Sequence, residues 1–289
     1  MYGVKHRRIS FKQVLNTVVK SLVMGTLEHN IGALGAIIAY FAFSSMIPLL
    51  LLLVFSSSHV IPTSIVNQFI DGIAKSYIPN LPDSNEVLQA NLFRLEHFGS
   101  TIGIVGLLGL LWPSVGGFVS FQYILDKIWG IRKRRSFFSQ YVVGFSMLIL
   151  LIVLTIASAL MSSVTPFLTR FLRDTPFTEW TRTTQWIGRI AFPLFLFATS
   201  YFCYRFLPSR QLKNLHLAIG ALVSTLGIYL SRGAFMVYTA HLHHYKLIYG
   251  TLTFFMLLVF WIYIVSVMML FGGEVAVTLT KVLTPDDEM

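Results

Sequence analysis

Two kinds of side chain in this 289-residue sequence could do chemistry. The first is a dense basic run, Arg132, Lys133, Arg134 and Arg135, within DKIWGIRKRRSFF. Guanidinium groups grip phosphate oxygens, so such a run suits either a nucleic-acid backbone or lipid head groups. The second is a scatter of ionisable residues set in apolar sequence: Glu28, Asp126, Arg189, Arg205, Arg232 and Glu274. Charges are costly to bury at membrane depth, so those that occur there are candidate functional groups. HLHHY offers His241, His243 and His244, but with no carboxylate or cysteine beside them the expectation is no metal site. The lone Cys203 excludes an internal disulfide. Nucleotide-binding, zinc-protease and nucleophile-elbow motifs are missing, so neither enzyme chemistry nor a cofactor is expected.

The solvent of the chain decides between the readings of the basic run. The sequence is 55% hydrophobic and only 12% charged, where soluble domains carry about 25% charged residues. Its mean hydropathy is +0.71. A water-soluble globule could not cover itself with so few charges, whereas a protein in lipid need not. The net charge of +10 then suits anionic lipid surfaces. No aromatic stacking platform surrounds the basic run, so no nucleic-acid partner is expected.

A bilayer crossing needs roughly 20 apolar residues. Six stretches meet that length, at 31–55, 101–125, 141–165, 186–206, 215–238 and 251–276. The fold expected is all-α: a polytopic bundle of six transmembrane helices, residues 31–276, with amphipathic helices at its faces. Residues 1–30 read as a cytoplasmic amphipathic helix, since Phe11, Val14, Leu15, Val18, Val19, Leu22 and Val23 follow helical spacing opposite Lys12, Gln13, Asn16 and Lys20. They do not resemble a cleavable signal peptide. Residues 62–97 supply an outer amphipathic segment, and 277–289 a short tail. Fourteen Lys and Arg residues fall in the segments on one side of these spans and six on the other. That bias puts both termini in the cytoplasm. Trp129, and Trp180 with Trp186, fall at opposite interfaces as belt residues.

Depth then groups the candidates. Arg189 and Arg232 fall in the outer half of the membrane and read as an anion or head-group site. Arg132, Arg134 and Arg135 read as its inner counterpart. Glu28, Asp126, Glu274 and Arg205 form a mixed-charge layer at the inner ends of the spans, where a gate could lie. The plain alternative is structural, with snorkelling arginines and salt bridges at helix ends. FSSMIPLL puts Ser44, Ser45 and Pro48 inside the first span, where proline frees a backbone carbonyl and a kink is expected. Gly32 and Gly35 would let helices approach closely.

Four segments carry a resemblance: LGAIIAYFAFSSMIPLLLLL, ILDKIWGIRKRRSF, YRFLPSRQLKNLHLAIGAL and YKLIYGTLTFFMLLVFWIYIVSVMMLFGGEVAVTL. In order and spacing they resemble the signature segments of the YihY/BrkB family, over nearly the whole chain from Glu28 to Leu279. The outer LIYG and the later LFGGEV are the most specific of these. The resemblance implies a bacterial inner (plasma) membrane protein with six helices and cytoplasmic termini. Some members once carried the label ribonuclease BN, for which this sequence has no chemistry. The function expected is transport or exchange of an anionic lipid or envelope lipid precursor, with membrane lipids as partners. A cation/proton antiporter and a non-transporting scaffold for envelope or periplasmic proteins are the alternatives.

Overall fold

The computed structural model describes residues 11–59, 100–131, 133–173, 193–241 and 251–283. Among them every regular element is an α-helix. These are α1 (Phe11–Glu28), α2 (Ile31–His59), α3 (Ser100–Ile128), α4 (Phe137–Arg173), α5 (193–206), α6 (Asn214–Ala240) and α7 (Thr251–Leu283). The all-α expectation holds.

By length and composition, three described stretches can cross a membrane: Phe137–Leu154 in α4, Asn214–Ala240 in α6 and Leu252–Leu283 in α7. Counting the bent pair α1–α2 as one span raises the number to four. Six is therefore an expectation that the described helices meet only in part. Of α5 only 193–206 is described, fewer residues than the roughly 20 needed to cross. The outer segment 62–97 lies outside the described residues.

Local sequence explains where the helices stop. The α3 helix ends in a Schellman motif: Gly130 takes φ +68°, its N–H donates to the Lys127 carbonyl, and the Ile131 N–H donates to Asp126. Only a residue without a Cβ takes that conformation freely. This is what the glycine in DKIWGI does: it ends the helix and turns the basic run away. Between α1 and α2, Asn30 holds φ 51°, a left-handed position that asparagine tolerates. The two helices meet there at 58°. This bend lies before the first span, and α2 runs from Ile31 to His59. The Ser45 hydroxyl folds back onto the Ala42 carbonyl at 2.8 Å.

Helix α7 is the hub. It packs against α1, α2, α3 and α6. Its 33 residues reach about 50 Å at 1.5 Å per residue, well beyond a hydrocarbon core of about 30 Å. One core cluster joins Ile124, Leu125, Ile128, Tyr204, Leu217 and Leu270; a second, nearer the start of α7, joins Ile228, Phe235, Phe254 and Trp261. Outward positions stay apolar, among them Phe145, Ile149 and Val153 on α4 and Leu222, Leu226 and Leu230 on α6. A soluble helix would place charges there; a lipid-facing one has no need of them. Trp129 departs from the belt reading. It is 8% exposed and packs in the first core cluster, because the tight turn at Gly130 folds the end of α3 onto the bundle.

Candidate functional site

The polar residues of the bundle gather where α7 crosses its neighbours, around Gly272, Gly273 and Glu274. Backbones nearly touch at the α6–α7 crossing. A Cβ on Gly272 would run into the Ser224 hydroxyl and the Gly220 carbonyl, and one on Gly220 would meet the Gly272 carbonyl and, at 2.9 Å, the Ala276 Cβ. A Cβ on Gly273 would stand 3.0 Å from Leu125. Small residues at a helix crossing allow this approach, and the approach brings side-chain hydroxyls within reach of backbone. Tyr204, fully buried on α5, donates its hydroxyl proton to the Met269 carbonyl and also meets the Ser224 hydroxyl. Three helices are joined there by one hydroxyl group. Further along, the His216 ring on α6 lies 2.9 Å from the Thr280 hydroxyl on α7.

Glu274 is the ionisable member. It is 2% exposed, and Oε2 lies 2.9 Å from Nδ1 of His29. Its other oxygen rests against Gly25, where any Cβ would collide with it. The carboxylate therefore reaches from α7 into a seat cut in α1 by a glycine.

A second polar knot holds the turn after α5. The Asp126 carboxylate accepts the Ser209 N–H at 2.7 Å and the Ser209 hydroxyl at 2.6 Å. From the other side, Arg135 donates through Nη1 to the carbonyls of Phe206 and Leu207, both at 3.1 Å, and through Nη2 to that of Pro208 at 3.0 Å. These carbonyls close the helix, which leaves its last acceptors without partners. A planar guanidinium carrying positive charge is well matched to that end. The Arg135 N–H donates to the Ser209 hydroxyl at 3.3 Å, and Gln140 donates to the Arg135 carbonyl at 2.9 Å.

The residues grouped by depth are thus dealt into separate places. Glu274 meets His29, while Asp126 meets Ser209. Glu28 is exposed at the end of α1, and Arg205 is half-buried on α5. In the basic run, Arg135 is committed to helix-end carbonyls and Arg134 stacks over the Tyr123 ring, 4.1 Å from its centre. Arg132 and Arg189 lie outside the described residues, and Arg232 is half-buried on α6. His241 turns Nδ1 back to the Val237 carbonyl at 2.8 Å, and His243 and His244 are outside the described residues. Among the described residues no group of three His, Cys, Asp or Glu side chains could hold a metal. Sequence reasoning missed His29, Ser209, Tyr204 and Thr280. The one signal for Ser209 was its place in LPSR, a proline-led turn between two helices.

An apolar groove of about 560 Å³ opens sideways between α2 and α7. Ala36, Ala39, Tyr40, Met256, Val259 and Tyr263 are among the residues that line it, and of these Ala39 is the buried one. Tyr40 and Met256 are exposed, so the groove faces outward.

The profile of the family described as Virulence factor BrkB matches residues 22–289, which take in Gly25, His29 and every other side chain of the two polar knots. The chain belongs to the BrkB family. It is therefore an integral membrane protein of that family. Its relatives are named UPF0761 membrane proteins. One from Glaesserella parasuis serovar 5 is 28% identical over 195 residues, 68% of this chain and 68% of the relative. One from Vibrio vulnificus is 23% identical over 268 residues, 90% of this chain and 82% of the relative. One from Azoarcus is 26% identical over 208 residues; that match takes in 70% of this chain but only 49% of the longer relative. No solved structure matches the chain. Within this family, the LFGGEV stretch has a physical meaning here: its glycines set the crossing with α6 and α3, and its glutamate fixes α1.

Proposed function

We propose that the chain is a six-span inner-membrane protein, with both termini in the cytoplasm, that transports or exchanges an anionic lipid or envelope lipid precursor. The observation that carries this reading is the α2–α7 groove. A hollow lined by alanine, valine, methionine and aromatic side chains, open at the lipid-facing surface, suits an acyl chain far better than an ion. Its volume lies within the range of small-molecule sites, roughly 300–1,000 Å³. The net charge of +10 supports an anionic head group. Arg189 and Arg232 are the head-group contacts proposed on the outer side, and Arg132 and Arg134 on the inner side. Arg135 is less suited, because its guanidinium is already occupied.

The test is leaflet exchange of a labelled anionic phospholipid in liposomes holding the purified protein. Exchange that falls when Arg189 and Arg232 are both changed to alanine supports the site. Exchange unchanged in that double variant removes those residues from it.

A second reading has its own observation. Glu274 on α7 and His29 at the end of α1 form a partly buried acid–imidazole pair, which a cation/proton antiporter could use. An internal pH dye in the same liposomes separates the two: a salt-driven pH change without lipid exchange favours the antiporter. If both signals are blank, the scaffold reading stands.

A further inference from the structure

Helix α1 has three faces where a simple amphipathic helix has two. Gly25 and His29 turn toward Glu274 of α7, with Val18 and Leu22 half-buried on the same side. Thr17, Ser21 and Glu28 are exposed and polar on another side, with the exposed Met24 at its edge. Val19, Val23 and Leu27 form a third. They follow at four-residue intervals, so they line up as one ridge, roughly 140° round the helix from Gly25 and His29 at 100° per residue. The ridge is 52%, 53% and 74% exposed at its three positions. None of the described helices therefore covers it.

We infer that this ridge docks on the boundary between head groups and acyl chains of an anionic lipid leaflet, with α1 lying along the surface. Three observations select that occupant. The first is direction. Helix α2 alone has 29 residues, enough to cross a bilayer, which takes about 20. The 58° bend at Asn30 then lays α1 toward the membrane plane. The second is that one side of α1 meets the bundle while the rest is exposed, with apolar Val19, Val23, Met24 and Leu27 standing among polar Asn16, Lys20, Ser21 and Glu28, a mixture that suits the head-group boundary. The third is charge. Lys20 is exposed next to the ridge, and Lys5, Arg7, Arg8 and Lys12 crowd the sequence just before and within the start of α1. Basic residues at a membrane surface are each worth about 1 kcal/mol against an anionic leaflet. The Glu274–His29 pair fixes which face α1 turns to the bundle, and so which face is left for lipid. This inference does not depend on what the protein moves.

The experiment places an environment-sensitive fluorophore on a single cysteine in full-length protein carrying Cys203→Ala. The positions are Val23→Cys on the ridge and Ser21→Cys on the polar face, each in nanodiscs of phosphatidylcholine with and without phosphatidylglycerol. Position 23 should be quenched several-fold more by doxyl-labelled lipid than by aqueous iodide, and position 21 the reverse. Phosphatidylglycerol should deepen position 23, and added salt should reverse that gain. Equal iodide quenching at 21 and 23 in both lipids would overturn the inference. So would protection of position 23 seen only in discs holding two copies, which would put a second chain on the ridge. Lys20→Cys, labelled likewise, guards against a misfolded Ser21 variant and should behave as a head-group-level position.

Discussion

The Glu274 carboxylate and the His29 ring lie 2.9 Å apart across 245 residues of sequence, with the second carboxylate oxygen pressed on Gly25. One side chain thus holds α1 against α7. Removing either partner should loosen that hold. Breaking a partly buried hydrogen-bonded charge typically costs about 1–3 kcal/mol. Thermal unfolding in detergent should show His29→Ala and Glu274→Ala destabilised, with the double variant little worse than Glu274→Ala alone. Fully additive losses would mean that the two residues act separately.

The backbone crossing makes a sharper stability prediction. Gly272→Val and Gly220→Leu must force α6 and α7 apart, at a cost of several kcal/mol given the usual 1–3 for milder overpacking. Gly233, with nothing within 4 Å of an added Cβ, is the control on the same helix as Gly220. Gly233→Ala should leave the melting temperature unchanged or raise it. Equal losses at positions 233 and 272 would contradict the crossing.

Asp126 and Arg135 clamp the same turn from two sides. Asp126→Ala leaves the Ser209 N–H without its acceptor, and about 1–3 kcal/mol is the usual penalty for a buried donor so treated. Arg135→Lys should not rescue Arg135→Ala, because an ammonium cannot cover three carbonyls as a planar fork does. Arg134→Ala, exposed over Tyr123, should change stability least of the three. Protease cleavage near 207–210 gives the readout, with faster cutting expected for the Asp126 and Arg135 variants. Equal cutting of all three variants would mean that the clamp is not what holds the turn.

How much of this was legible in the sequence follows from what hydropathy measures. A window average reports whether a stretch is apolar, so 31–55, 101–125, 141–165, 215–238 and 251–276 each fall within one helix. That α1 is a helix was legible from the spacing of its apolar residues, but its face was not: Val18 and Leu22 turn to the bundle while Val19 and Val23 stay exposed. Pairing was not legible either. Glu274 joins His29, and Asp126 joins Ser209, because of which way each helix is rotated, and rotation leaves no trace in a window average. Depth alone had put Glu28, Asp126, Glu274 and Arg205 into one layer. Trp129 was misread because proximity to a basic run suggests an interface, whereas the turn at Gly130 decides where the ring goes. The basic run itself was read as a single surface, yet Arg135 caps a helix and Arg134 packs on a ring.

The central claim is that the α2–α7 groove takes a lipid chain, and closing it tests this most directly. Ala36 lines the groove and is exposed, so Ala36→Phe can fill the hollow without overpacking the core. Leaflet exchange of a labelled anionic phospholipid should be measured in liposomes for the wild type and this variant, with matched thermal stability and an internal pH dye read alongside. The account predicts several-fold slower exchange in Ala36→Phe with the dye silent in both. Equal exchange in the two proteins, or no exchange beyond empty liposomes in either, would contradict it.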